Sequence, residues 1–343
     1  MKMGYWTKRL LNLLTLGLRF KPWSIYFCLE CGKWVSRTHT HRRKFKKHRV
    51  YAFGWKKDPR DPRDLVWSRL FRTPRSLPER VDLRFKESPI LDQGNEGACV
   101  GFAGAALKNW YEIAQKDYPA KEQGLSPRCI YNLARALEGR LNEEGAYLRD
   151  ALKGLQTFGT CTEAYWPYRP WVDSGVDPRW KIPVEKAEPW RIRSYVRLET
   201  VDEVLQALAS GLPVYAGVPW CSNWMSTDAS GKLPRGDMRI VGGHAILFLG
   251  YDLKEGRLLL QNSWGKGWGA RGCAWMIIDD LKKLHGSSDF WTVVDLEPPS
   301  PPGPEPEPPK PDNRKICDIL DAVIAEAVRL KGVFKCDEGG GRV

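Results

Sequence analysis

The sequence predicts an α+β domain set between two extensions, and three observations predict it. The small and apolar run Val100-Gly101-Phe102-Ala103-Gly104-Ala105-Ala106-Leu107 reads as a buried helix. From residue 192 onward, short apolar runs bounded by turn residues read as strands. After Leu296 the composition turns abruptly to proline, which marks the end of the packed chain.

Taken in order, Ile192–Leu198 is the first of these strands. Thr200-Val201-Asp202-Glu203 has capping-box spacing and starts a helix that runs to about Ser210. Pro213–Val218, Ala245–Tyr251, Arg257–Gln261 and Ala274–Ile278 supply further strands. The stretch Glu297–Pro311 is an extended polyproline spacer. Beyond it Ile316, Ile319, Leu320, Val323, Ile324, Ala327 and Leu330 recur at helical spacing. One tethered helix cannot bury such a stripe alone, so it is expected to dock on this domain, on a second copy or on a protein partner. The predicted boundaries are an arm at 1–74, a domain at 75–297, a linker at 298–314, and an amphipathic helix with tail at 315–343.

Charge separates the arm from the rest. Residues 1–80 hold 21 Lys+Arg against 5 Asp+Glu, or +16; the remainder carries −3, and together they make the +13 of all 343 residues. The densest part, residues 37–49, can bind nucleic acid or another acidic surface; the plain alternative is a solvated arm. Cys28 and Cys31, followed by His41 and His48, offer two thiolates and two imidazoles for a structural zinc, although the histidine spacing is irregular and reduced thiols beside a basic run are the other reading. The apolar stretch Leu10–Leu18 is interrupted by Asn12, closed by Arg19 and Lys21, and too short to span a bilayer, so it reads as an amphipathic docking helix. No other segment approaches membrane length. Nine cysteines without a dense framework point to a reducing, cytoplasmic compartment.

Three distant stretches carry chemistry: Asp92-Gln93-Gly94-Asn95-Glu96-Gly97-Ala98-Cys99, Gly242-Gly243-His244-Ala245, and Gln261-Asn262-Ser263-Trp264-Gly265. A thiol near its free pKa is only a few per cent thiolate at neutral pH and needs a base. An imidazole supplies one, and an amide oxygen can hold that imidazole in the useful tautomer. Cys99 precedes the predicted buried helix, whose N-terminus favours a thiolate. Each residue has a plainer reading, a buried thiol or a core histidine, and it is their combination that makes the nucleophile reading. Of the five histidines only His244 and His285 lie in the domain, and His285 reads as a surface residue at a helix end.

At these positions the chain resembles the papain-like cysteine peptidase family. Gln93 stands six residues before Cys99, His244 follows it by 145 positions, and Asn262 opens the segment Asn262-Ser263-Trp264-Gly265-Lys266-Gly267-Trp268-Gly269. Val81–Arg84, Leu125-Ser126-Pro127 and Gly159 through Tyr165-Trp166-Pro167-Tyr168 are similar to further family segments. The resemblance implies two lobes: a helical left lobe (99–114, about 127–139, 146–158) and a β-barrel-like right lobe carrying His244 and Asn262. It implies that Cys99 attacks a carbonyl, Gln93 and the Cys99 amide hold the oxyanion, and His244 and Asn262 complete the triad, with no catalytic cofactor. Gly97, Gly243 and Trp264 would line the site that binds peptide or protein substrate.

Two departures stand out. Glu96 replaces the cysteine that the family usually pairs three residues before the nucleophile, and Val100 replaces an aromatic. They point to a bacterial or phage branch; a phage protein of this kind would travel with the virion. Val100, the basic arm and the tethered helix also fit a catalytically silent papain-fold assembly protein that binds an acidic partner through its arm, and the order of Cys before His fits, further off, a transglutaminase-like acyl transferase. About 75 residues precede the resemblance, with Asp61–Asp64 and Thr73–Pro78 as suitable cleavable junctions.

Overall fold

The computed structural model describes residues 51–71, 76–116, 118–119 and 122–294, the backbone of 25–28 and 33–36, and residues 321–326 and 329. Contacts divide the chain into two units, Met1–Arg49 and Val50–Val343. In the first, β1 (Ile25–Cys28) pairs antiparallel with β2 (Lys33–Ser36). The zinc expectation on Cys28, Cys31, His41 and His48 lies outside the described side chains, as do the N-terminal helix, the basic run 37–49 and the linker 298–314.

The second unit opens with β3 (Trp55–Lys56), α1 (Trp67–Leu70) and β4 (Arg80–Asp82). A helical half follows: α2 (Cys99–Gln115), α3 (Pro127–Glu138), the short β5 (Ala146–Tyr147) and α4 (Leu148–Thr157). α2 is buried almost all round, which is why its sequence is small and apolar rather than striped. α3 begins where the Ser126 hydroxyl accepts from the Cys129 amide and Pro127 takes the first helical position; it ends at Gly139 in the left-handed region.

The strand-rich half comprises β6 (Ser194–Leu198), α5 (Val201–Ala209), β7 (Val214–Cys221), β8 (Ile240–Asp252), β9 (Arg257–Gln261), β10 (Cys273–Ile277), α6 (Ile278–Leu284) and β11 (Asp289–Val294). The expected capping box on α5 forms, the Glu203 amide donating to Thr200 Oγ1 at 3.1 Å. The sheet order is β10-β9-β8-β7-β11-β6, with β4 also on β8 and every pairing antiparallel. β11 is not among the strands read from the sequence, yet it sits between β7 and β6. All six of its residues are buried, so it lacks the polar alternation that marks a one-sided strand. Tyr215 and Tyr111 hydroxyls donate to the Val100 and Val293 carbonyls at 2.6 and 2.5 Å and lock α2 against this sheet.

Residues 51–71, read from the sequence as part of the arm, pack into the domain core instead. Trp55, Val66 and Trp67 are buried there, and Trp67 Nε1 donates to Gln206 at 3.1 Å. The turn Asp61–Asp64 is no loose junction. Asp64 pairs with Arg149 of α4 at 2.7 Å and with Arg197 of β6 at 2.9 Å. Turn-forming residues look alike in an ordered turn and in a linker, so composition could not separate the two. At the other end, residues 321–326 are helical and Val323 is buried in the same core, so this part of the predicted stripe docks on its own domain.

Asp58 anchors the same segment. Its amide donates to Asp289 at 2.7 Å, and its carboxylate accepts from Trp291 Nε1 at 2.8 Å and the Arg149 amide at 3.2 Å. Burial, then the neighbouring Asp289 carboxylate, raises its pKa from 3.8 to about 7 against the pull of Trp291, Arg149 and Arg197. A carboxyl whose folded pKa is raised takes up a proton on folding, so its contribution to stability falls as pH rises from about 4 towards 7. The melting-temperature difference between Asp58→Asn and wild type is therefore expected to move in the variant's favour between about pH 5 and about pH 8. A difference independent of pH in calorimetry would rule this out.

Candidate active site

Cys99 is the first residue of α2, and the preceding Ala98 offers no side-chain cap, so the helix N–H groups there stay available. Its thiol is fully buried. Burial pushes the thiol up to about 11, opposed by the backbone N–H groups of Ala245, Gly54, Val100 and Trp55 that face it.

His244 lies on β8 opposite Val218. Its Nε2 is 2.8 Å from Asn262 Oδ1, and the Ser263 amide donates to that same oxygen at 2.7 Å. The second donor fixes which end of the Asn262 amide is oxygen, so Nε2 carries the proton and Nδ1 is the basic nitrogen. Nδ1 has no hydrogen-bond partner among the described residues. Burial pushes the imidazole down to about 4, against the Asn262 bond that favours its charged form. Trp264 stacks on the ring at 4.7 Å and Trp220 meets it edge-on at 5.0 Å, so the His–Asn bond is walled off from water.

Gln93 is held on both ends of its amide. Oε1 accepts from Ser263 Oγ at 2.6 Å, and Nε2 donates to the Glu96 carbonyl at 3.0 Å and to the Ala52 carbonyl at 3.1 Å. The residues from all three sequence stretches thus meet in one cleft between the helical and strand-rich halves.

That cleft is filled by the chain itself. The Gly54 amide donates to the Gly243 carbonyl at 3.2 Å, and the Gly54 carbonyl accepts from the Ala146 amide at 2.8 Å. The fit admits no side chain: a Cβ on Gly54 would stand 1.7 Å from the Gly97 oxygen, and one on Gly243 would stand 2.4 Å from the Trp55 oxygen. Tyr51 stacks on Trp264 at 4.1 Å and Phe53 meets His244 edge-on at 5.8 Å. β3 then runs parallel to β5, Trp55 beside Ala146 and Lys56 beside Tyr147. Gly97, Gly243 and Trp264, expected to bind substrate, all touch this strand or the residues just before it.

A sequence profile described as "Papain family cysteine protease" matches residues 77–287, more than half of the chain. The chain belongs to the papain family of cysteine proteases. Among curated relatives, it is 28% identical to "Uncharacterized peptidase C1-like protein L477" of Acanthamoeba polyphaga mimivirus, over 61% of this chain and 70% of that protein. It is 27% identical to "Cysteine protease" of Blomia tropicalis, over 66% of this chain and 68% of that one. Among solved structures it is similar to xylellain, a cysteine protease from Xylella fastidiosa, with a TM-score of 0.63, 27% identity, and coverage of 74% of this chain and all of that one. As a papain-family protease the protein is a cysteine-type peptidase whose substrates are peptides or proteins, and such enzymes need no cofactor. Among the described residues no cluster could hold a metal, and no helix is long and apolar enough to cross a membrane.

Sequence reasoning missed the support beneath the loop that leads into Cys99. Glu96 is fully buried, its carboxylate accepting from both terminal nitrogens of Arg128 at 2.6 Å, the Trp171 amide at 2.7 Å, Ser174 Oγ at 2.9 Å and Tyr168 OH at 3.0 Å. Glu96 drew notice only as a substitute for a cysteine, and nothing local in the sequence pairs it with Arg128. Glu96→Ala would leave the buried Arg128 without its counter-charge, at a cost of about 3–5 kcal/mol. Denaturant melts check this; a loss below about 1 kcal/mol would contradict it.

Proposed function

We propose that the protein hydrolyses peptide bonds through Cys99, His244, Asn262 and Gln93, by way of a thioester acyl-enzyme. The observation that carries this reading is the His244–Asn262 bond with the Ser263 amide behind it, which leaves an unprotonated Nδ1 for a thiol at a helix N-terminus.

The Cys99 proton passes to His244 Nδ1 and the sulfur attacks the substrate carbonyl carbon. The oxyanion takes hydrogen bonds from Gln93 Nε2 and the Cys99 amide. His244 returns the proton to the leaving amine as the C–N bond breaks. Water, deprotonated by the same imidazole, then cleaves the thioester to a free acid and restores the thiol. With the cleft filled, the thiol and the imidazole are both held neutral by burial, which describes a latent protease whose own residues 51–56 stand in the way of substrate.

The test is covalent labelling with a thiol-directed epoxide, read by intact mass. A single adduct, absent from Cys99→Ala and strongly slowed in His244→Ala, is expected. Equal labelling of His244→Ala would remove the imidazole from the mechanism.

A further inference from the structure

We infer that the cleft wall made by Glu138, Glu143 and Tyr147 is a subsite for a lysine or arginine side chain of the substrate, and that Lys56 of the chain's own β3 occupies it in this structure. The inference rests on the peptidase reading above and names what that cleft selects.

Lys56 Nζ lies 3.4 Å from Glu138 Oε2 and 3.9 Å from Glu143 Oε2, with the Tyr147 ring centroid at 5.8 Å. The Glu138 side chain is only 4% exposed, and Lys56 is its one ion-pair partner among the described residues. A carboxylate buried this deeply is costly without a counter-charge. Glu143 also pairs with Arg140 at 3.2 Å. The surroundings add one more carboxylate: Glu144 accepts from the Gly97 amide at 3.3 Å, on the Cys99 side of the wall. When β3 leaves, Glu138 loses its cation and the wall becomes a site for another.

Geometry ties this wall to the reacting centre. β3 pairs edge to edge with β5, Lys56 beside Tyr147, and Gly54 lies against Gly97 two residues earlier. Two residues of extended chain span about 7 Å. Any strand laid in the same slot, whichever way it runs, turns alternate side chains to the same side. A substrate strand on β5 therefore presents one side chain to Glu138 and Glu143 while its backbone passes Cys99.

The experiment uses the full chain. Lys56→Glu sets a carboxylate against Glu138 and Glu143, and hydrogen exchange at residues 51–56 is expected to quicken; unchanged exchange would show that the acidic wall does not hold Lys56 and would overturn the inference. The double variant Cys99→Ala/Lys56→Glu is then titrated calorimetrically with blocked hexapeptides alike except for lysine or norleucine at each position in turn. Lysine at one position is expected to tighten binding about tenfold. The gain should vanish on adding Glu138→Gln and Glu143→Gln. Equal affinities, or no binding of either peptide, would reject the subsite. Hydrolysis of the tighter peptide by Lys56→Glu with Cys99 intact tests the underlying reading separately: selective binding without hydrolysis would sink the peptidase mechanism and leave the subsite standing.

Discussion

Cys99→Ala is expected to abolish peptide hydrolysis, a fall of at least ~10⁴ in kcat, because in the proposed mechanism the thiol forms the covalent bond and no neighbouring group can stand in for it. His244→Ala should fall nearly as far, since the two act as one unit and their losses do not add. Asn262→Ala should lose less, because it removes the group that holds the His244 tautomer rather than one that reacts. Folding should survive Cys99→Ala with a change within about 1 kcal/mol, as burial keeps this thiol neutral and the lost volume is small. The measurement is kcat on a peptide mixture with each substitution placed in the Lys56→Glu background, where the cleft is expected to open, alongside thermal melts. Full activity in Cys99→Ala would overturn the site, and so would activity in His244→Ala equal to wild type.

The second large effect runs the other way. Gly54→Ala is expected to activate the protein. The added methyl would be built 1.7 Å from the Gly97 carbonyl oxygen and 2.4 Å from its carbon, and both are backbone atoms that cannot rotate aside. Overpacking of this kind costs about 1–3 kcal/mol, and the upper end shifts an equilibrium about 100-fold towards the open cleft. Epoxide labelling of Cys99 in full-length Gly54→Ala should accelerate accordingly. The anchors at Asp58, Asp64 and Trp67 lie outside the clash, so the rest of the segment should stay docked and the melting temperature should change little. Labelling no faster than wild type would mean that residues 51–56 do not control access to the thiol.

These two expectations mark where the sequence was readable and where it was not. Gln93, Cys99, His244 and Asn262 sit in motifs whose local order reflects local geometry: a helix start, a strand, a strand end. The capping box at Thr200 and Glu203 is likewise a short-range device, and it appeared where expected. β11 escaped because both its faces are buried and no alternation marks it. The segment 51–71 escaped because its charges resemble those of the arm before it, while its role is set by Arg149, Arg197 and Asp289, far along the chain.

The sequence by itself determined the α+β class and the identities of the candidate reacting groups, because helix, strand and turn signals act over a few residues and the three motifs are each short; the order of the two halves came with the family resemblance that those motifs carry. Only the tertiary structure decided that Glu96 rests on Arg128, that Gly54 lies between Gly97 and Gly243, and that Lys56 meets Glu138. Those contacts join residues 32 to nearly 190 positions apart, and close approach across such distances follows from how whole elements pack, which no local pattern encodes.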